Sequence, residues 1–344
     1  MRKKVTIQEI ADAVGMSKYA VSRALAGKSG VSAETRQLIV DTAQKLGYFA
    51  KREAASPFLL QNRFADQKSI ETIETILILF PNVRYQNTES LYWGPVFNGI
   101  SSALNQRGIN ILTLTEPSGD SIFTLLNPDG IQGIIAVGSI STPILLELQQ
   151  SGIPIVIVDH HDEQFHADSI FTDNTNSMVE LMKELIKAGF TNFQFIGNIR
   201  EAASFKDRWL GFRLALEEHN IPNQQNPRLI GPEADTIYTV LPNMARDRQL
   251  PEVFVCANDT YAFFAIETLK NEGLSVPEVC QFTGFDYTYP DLALYATVDV
   301  HKEVIGMRAV DQLLWRIANP KLPYERRLIG ASIVRRSAHP SAKA

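Results

Sequence analysis

The sequence predicts an α/β protein in two parts, a small helical head at the N-terminus and a large body in which strands and helices alternate. Three observations predict it. Over residues 1–52, ten Lys/Arg face four Asp/Glu, a balance of +6; the remainder holds 23 against 34, a balance of −11, within a chain net charge of −5. From Ile76 onward, short β-rich apolar runs alternate with amphipathic helical patterns, the order that builds mainly parallel sheets with helices on both faces. At 344 residues, 45% hydrophobic and 21% charged, the chain is long enough for two or three packed domains and too apolar to be disordered.

The head reads as three short helices. Thr6-Ile7-Gln8-Glu9 has the form of a capping box, in which a Thr hydroxyl and a Glu carboxylate each satisfy a free backbone N–H at a helix start. Ile7, Ile10, Ala11 and Val14 give that helix an apolar stripe, and Gly15 supplies the positive φ that ends it. Ser17 caps a second helix, 18–26, that buries Val21, Ala24 and Leu25 and presents Lys18, Tyr19, Ser22 and Arg23. A third starts near Ser32 and runs through Leu38, Ile39, Ala43 and Leu46 to Gly47. Such a trio, with a glycine in its first turn, describes a helix-turn-helix whose second helix enters the major groove of DNA. The basic excess weighs against an ordinary three-helix bundle. Gly27-Lys28-Ser29 imitates the end of a phosphate-binding loop, but the glycine required five positions earlier is Ser22, so this is a turn.

In the body, strands are predicted at 76–80, 109–114, 131–137, 153–158, 193–196, 253–257 and 279–285, with helices near 93–107, 142–151, 175–188, 203–219, 235–248 and 258–273. Ligands in such folds bind beyond the carboxyl ends of strands. Asp159-His160-His161, Asn258-Asp259 and Asp286-Tyr287 occupy that position.

Other classes are excluded by what the chain lacks. Its two cysteines, Cys256 and Cys280, form no disulfide framework and no metal-ligand spacing. That fits a reduced, cytosolic setting. The basic Met1-Arg2-Lys3-Lys4 start is followed by no apolar signal core, and no apolar run approaches a membrane span. The sequence contains no G-x-S-x-G, H-E-x-x-H, G-x-G-x-x-G or complete phosphate loop. We therefore expect neither catalytic residues nor metal nor cofactor.

The run from Val5-Thr6-Ile7-Gln8-Glu9-Ile10-Ala11 through Gly15-Met16-Ser17, Val21-Ser22-Arg23-Ala24-Leu25, Val31-Ser32 and Arg36 to Leu46-Gly47-Tyr48 resembles the DNA-binding head of the lactose-repressor/galactose-repressor (LacI/GalR) family. The body extends the resemblance, in order and spacing, through Asp173-Asn174, Gly189-Phe190, Ser204, Arg208, Gly211-Phe212, Ala257-Asn258-Asp259, Gly284-Phe285-Asp286, Ala296-Thr297-Val298 and Arg335-Arg336-Ser337. The resemblance implies a bacterial, cytoplasmic transcription regulator, most simply a repressor. It would bind a pseudo-palindromic double-stranded operator as a homodimer and answer to a small-molecule effector. It also implies a two-lobed, periplasmic-binding-protein-like (type I) body with two doubly wound parallel sheets, and three crossovers between the lobes, the last two near 296–302 and 322–328. The expected domains are a helix-turn-helix head over 1–52, a linker over 53–74 and an effector-binding and dimerisation body over 75–340. Within the body the N-lobe would comprise 75–170 and 298–324, the C-lobe 171–297 and 325–340.

Carried over residue by residue, Lys18 and Tyr19 select bases, Arg23 contacts base or backbone, and Thr6 and Ser22 touch phosphate, with Ser17 and Lys28 completing the DNA-facing set. In the body, Arg208, Asn258 and Asp286 fall on effector-holding positions, joined by Asp159 and, beside the carboxylates, His160 and Tyr287. Carboxylate, guanidinium and amide together suit a polyhydroxylated ligand such as a sugar. Tyr92 and Trp93 offer either a flat face to a sugar ring or a core or dimer contact. A purine, nucleoside or sugar phosphate is the rival effector, and a solute-binding receptor the remote alternative.

The linker departs from the family pattern. Where the family carries a leucine that enters the minor groove, this chain has Pro57. Two arrangements stay open: a hinge helix after Pro57 with Leu59 or Leu60 as the wedge, or a tether, which suits the polar run Gln61-Asn62-Arg63.

Overall fold

The computed structural model describes residues 6–18, 20, 21, 35, 38, 39, 42, 43, 45, 75–80, 90–115, 130–231 and 236–336. The chain divides into two compact units, Met1–Glu71 and Thr72–Ala344.

In the first unit, helix α1 (Ile7–Val14) has the capping box its sequence announces. The Thr6 hydroxyl accepts from the Glu9 N–H at 3.3 Å, and the Glu9 carboxylate accepts from the Thr6 N–H at 2.8 Å. Gly15 closes the helix at φ 67, its N–H donating to the Ala11 carbonyl, a conformation that costs a residue with a Cβ. The Ser17 Oγ accepts from the Ala20 N–H at 3.2 Å, capping the next helix. Ile10, Ala11, Val21, Ile39 and Ala43 are buried together, with Ile7, Val14 and Met16 packed on them. Leu38, on the third helix, is 55% exposed and is not part of this core. Residues 53–74, including Leu59 and Leu60, lie outside the described residues, as do Tyr19, Ser22, Arg23 and Lys28.

The body contains two sheets. Strands β1 (Thr75–Leu79), β2 (Asn110–Leu114), β3 (Gly133–Val137), β4 (Ile155–Val158) and β5 (Asp168–Thr172) lie with β10 (Arg326–Ile329) in the order β10-β5-β4-β3-β1-β2, all parallel. The second sheet joins β6 (Phe193–Ile196), β7 (Val253–Cys256), β8 (Gln281–Thr283), β9 (Ala296–Asp299) and β11 (Ser332–Arg335) in the order β11-β9-β8-β7-β6; only the β9–β11 pair is antiparallel. In the first sheet, Ile76, Ile78, Ile135, Val137, Val156 and Val158 enter one apolar cluster, while Leu77, Leu79, Ile134, Ala136, Ile155 and Ile157 enter another. Both faces are therefore buried, which is why β1, β3 and β4 read as unbroken apolar runs.

The first lobe is clothed by α2 (Trp93–Gln106), α3 (Thr142–Gln150) and α8 (Lys302–Ala318). The second carries α4 (Asn174–Lys187), α5 (Ala203–Glu218), α6 (Ile237–Arg246) and α7 (Asp259–Asn271). Helices α2 and α8 cross backbone to backbone: a Cβ on Gly99 would land on the Glu303 carbonyl, and one on Gly306 on the Val96 carbonyl.

The topology corrects the last crossover. The chain passes between lobes after β5, again between β9 and α8, and finally at Gly330-Ala331 between β10 and β11. Residues 326–329 pair with β5 and so belong to the first lobe, not to a C-lobe segment starting at 325, and the crossover is not at 322–328. Strands β10 and β11 are edge strands in which every residue is exposed or half-buried, so they lack the continuous apolar run that marks a central strand. The reading along the sequence also omits β5, β9 and α8.

Candidate functional site

A cavity of about 530 Å³ lies in the body, lined from the first lobe by Tyr92, Trp93, Ser139 and Asp159 and from the second by Glu201, Phe205, Arg208, Asn258, Asp286 and Tyr289. It sits beyond the carboxyl ends of β3, β4, β6, β7 and β8, where parallel sheets place ligands.

Arg208 forms the floor. It projects from α5, is 1% exposed, and lies flat on the Phe285 ring with its guanidinium carbon 3.8 Å from the centroid. Its Nε donates to Asn174 Oδ1 at 2.8 Å, Nη1 to the Ala257 carbonyl at 2.7 Å and to Asp286 Oδ2 at 3.2 Å, and Nη2 to Asp286 Oδ1 at 2.8 Å. A guanidinium has five N–H donors, so one Nη2–H is left without a protein partner among the described residues. Asp286, 5% exposed, retains lone pairs on both oxygens. Arg208 and Asp286 thus hold each other first and offer a ligand what remains.

Asp159 faces this pair from the other lobe. It follows β4 with φ 54, and Asp286 follows β8 with φ 87, so these two carboxylates are set on left-handed backbone, which Asp and Asn tolerate better than other side chains. Tyr92 donates its phenol hydrogen to Asp159 Oδ2 at 3.3 Å. Oδ1 is buried with no partner. Burial pushes Asp159 up to about 7, with Asp286 adding to the rise and Arg208 opposing it. Burial, then Asp159, lifts the Tyr92 phenol well above its usual value.

Asn258 is partly committed. It caps α7, its Oδ1 accepting from the Tyr261 N–H at 3.0 Å, so its NH₂ and one Oδ1 lone pair remain for a ligand. The neighbouring Asp259 is buried and fastens the loop after β8, accepting from Thr297 Oγ1 at 2.6 Å and from the Thr288 N–H at 2.8 Å. Ser90 turns the chain into α2, its Oγ accepting from the Tyr92 and Trp93 N–H groups at 3.3 and 3.2 Å. The Tyr92 and Trp93 rings meet edge to face at 4.6 Å.

The structure therefore brings Tyr92, Trp93, Asp159, Arg208, Asn258 and Asp286 around one cavity. His160 and Tyr287 do not line it. The His160 Nε2 is buried without a partner, and burial holds its pKa below the usual value; Tyr287 is 37% exposed and lies 5.5 Å from the Arg336 guanidinium. Sequence reasoning missed Ser139, Glu201, Phe205 and Tyr289. Ser139 and Glu201 follow β3 and β6, so the strand-end rule that marked Asp159 also pointed to them. Glu201 accepts from the Tyr261 hydroxyl at 2.7 Å.

In the head, Thr6 and Ser17 are exposed at helix starts and Lys18 is exposed beside Ser17. Among the described residues, no helix is long and apolar enough to cross a membrane, and no group of three or more His, Cys, Asp or Glu is placed to hold a metal ion.

Comparison with known proteins agrees with both modules. Residues 6–50 match the model of bacterial regulatory proteins, lacI family, and residues 182–338 that of a periplasmic binding protein-like domain. The HTH-type transcriptional repressor PurR of Actinobacillus pleuropneumoniae serotype 5b (strain L20) is 26% identical over 332 residues, 93% of each chain. A structure of the transcriptional regulator CelR–cellobiose complex superposes with a TM-score of 0.65 at 18% identity, covering 97% of this chain and 100% of that one. The lac repressor dimer bound to operator and the anti-inducer ONPF gives 0.63 at 20% identity, covering 97% and 98%. A DNA-reading head followed by a two-lobed body, aligned with a repressor across both, is the build of a transcription regulator and not of an enzyme, and this chain belongs to the lacI family of bacterial regulatory proteins.

Proposed function

We propose that this protein is a cytoplasmic repressor of carbohydrate-utilisation genes that leaves its operator when a small sugar binds between the lobes of its body. The observation that carries the reading is the cavity itself. Among the described residues, buried Asp159 Oδ1 on one lobe and the spare Arg208 N–H on the other are polar groups without protein partners, and such groups are costly unless a ligand or water satisfies them. A polyol with hydroxyls on both faces satisfies both at once. Cellobiose in the CelR complex is a ligand of this kind. A planar nucleobase is the second reading, favoured by the rings of Tyr92, Trp93, Phe205 and Tyr289 around the cavity.

The lac repressor is a dimer on its operator, and the same arrangement here would set two heads about one helical turn apart on a pseudo-palindromic site. In each head, residues 1–52, Lys18, Tyr19 and Arg23 reach base edges while Thr6, Ser17, Ser22 and Lys28 position the helices on phosphate. Residues 53–74 link the head to the body. The effector binds the DNA-competent state less tightly than the released one, so operator DNA weakens effector binding by the same factor.

Selection of operator variants from a randomised pool tests the reading head. Tyr19→Ala is expected to relax base preference at one position of each half-site and to leave sugar affinity unchanged. An unaltered preference would remove Tyr19 from the base-reading set.

A further inference from the structure

The ionisable groups around the cavity are unbalanced. Among the described residues, Asp159, Glu201 and Asp286 line it against a single cation, Arg208. That cation is already engaged, since two of its nitrogens donate to Asp286. Among the described residues, the Lys302 ammonium does not line the cavity and donates to the main-chain carbonyls of Asp286 and Tyr287, and Arg200 and Lys206 line a separate open crevice beside Trp209. Asp207 acts on Asp159, and Asp259 and Asp286 on each other, with the same sign, although Asp207 is also paired with Arg326 at 3.4 Å.

From this arrangement, and resting on the reading of this cavity as the effector site, we infer that the cleft is closed to anionic ligands (sugar phosphates, sugar acids and nucleotides) and takes an uncharged polyol. The donor inventory points the same way. A phosphate or carboxylate only accepts hydrogen bonds, whereas a hydroxyl also donates. The charged wall of the cavity presents mainly acceptors: Asp159 Oδ1 without a partner, the free lone pairs of Asp286, and Glu201. Against these stand one Arg208 N–H, the Asn258 amide and the hydroxyls of Ser139, Ser204, Thr260, Thr288 and Tyr289, which carry no charge to balance an anion. An anion would meet unpaired carboxylates in a partly dry cleft, where like charges repel far more strongly than in water. A neutral sugar fills the same acceptors with its hydroxyl hydrogens. The charge pattern thus separates the sugar-phosphate reading from the neutral one, which the shape of the cavity does not.

The test is isothermal titration of the full chain at pH 8 with neutral and anionic partners in pairs: glucose against glucose 6-phosphate and glucuronate, ribose against ribose 5-phosphate, adenosine against AMP, and inorganic phosphate alone. Each anion is expected to bind at least roughly 100-fold more weakly than a parent that binds. In the Asp159→Asn/Glu201→Gln variant, anion affinity is expected to rise at least about tenfold, and inorganic phosphate serves as the readout even when no parent binds. Both substitutions keep side-chain size, and Asn tolerates the backbone of position 159. An anion that binds the wild type more tightly than its parent overturns the inference. So does a variant with no gain for any anion, because exclusion would then have another source. Silence of every neutral parent, with phosphate gained only in the variant, would sustain the charge filter while removing the sugar reading of the cavity.

Discussion

Arg208→Met is expected to lower the stability of the body by about 3–5 kcal/mol in urea denaturation and to erase ligand-induced stabilisation. The cost has a specific source. Asp286 is 5% exposed and holds its charge in place through the two nitrogens of Arg208; without them a buried carboxylate is left uncompensated, and Asn174 Oδ1 and the Ala257 carbonyl lose their donor. Methionine fills much of the same volume over Phe285, so the loss reports charge and hydrogen bonding more than a cavity. Asp286→Asn added to Arg208→Met removes the stranded charge and is expected to recover part of the stability without restoring the ligand response. A single variant that still gains stability from sugar would place the ligand elsewhere.

Asp168→Ala is expected to cost a similar amount, again about 3–5 kcal/mol, yet to leave sugar affinity unchanged under conditions where the variant is folded. The two buried Asp–Arg pairs are chemically alike and differ in what they leave over. Arg316 donates through Nε and Nη2 to Asp168 at 2.6 and 2.8 Å, and to the carbonyls of Asn319, Leu322 and Pro323 at 3.1, 2.7 and 2.8 Å. All five of its donors are used, so nothing is offered to a ligand. Asp168 also accepts from the Glu325 N–H at 2.7 Å, which ties β5, the end of α8 and the approach to β10 into one joint. Burial works against ionising Asp168, but the Arg316 and Glu325 hydrogen bonds outweigh it and hold its pKa below the usual carboxylate value. Because the folded value lies below the unfolded one, this stabilisation is present above the ordinary carboxylate range and is lost as pH falls through the folded value. The variant should therefore show a flatter acid limb in denaturation experiments from neutral pH downward. A ligand affinity that collapses with Asp168 would show that the joint shapes the cavity.

What the sequence disclosed follows from the range of the interactions involved. The capping box of α1 and the Ser17 cap are made within four residues, so their signatures are local and the structure repeats them. Strands β1, β3 and β4 are buried on both faces, and that condition writes itself as unbroken Ile, Val and Leu. Strand β10 is an edge strand with Arg326 exposed and Arg327 half-buried, and its membership of the first sheet depends on pairing with β5, more than 150 positions earlier. Nothing local announces that pairing, which is why the last crossover was expected several residues too early.

At the site, the strand-end rule located two of the three cleft carboxylates, Asp159 and Asp286, and was not carried to Glu201. It said nothing of Arg208 and Asp286 binding each other, because the pair spans 78 positions. Asn258 opens α7, and capping there takes one lone pair of its carbonyl oxygen, a commitment the strand-end rule does not show.

The central claim is that ligand in the cleft and DNA on the head are linked through one conformational equilibrium. It is tested most directly by titrating an operator fragment with the full chain at fixed salt, with and without a neutral sugar that stabilises the body thermally. Salt must be held because phosphate contacts make operator affinity depend on it. The sugar is expected to weaken operator binding by roughly 5–150-fold, and saturating operator to weaken sugar binding by the same factor. A sugar that stabilises the body while operator affinity stays the same in both titrations would contradict it, because binding in the cleft would then be uncoupled from the DNA-reading head.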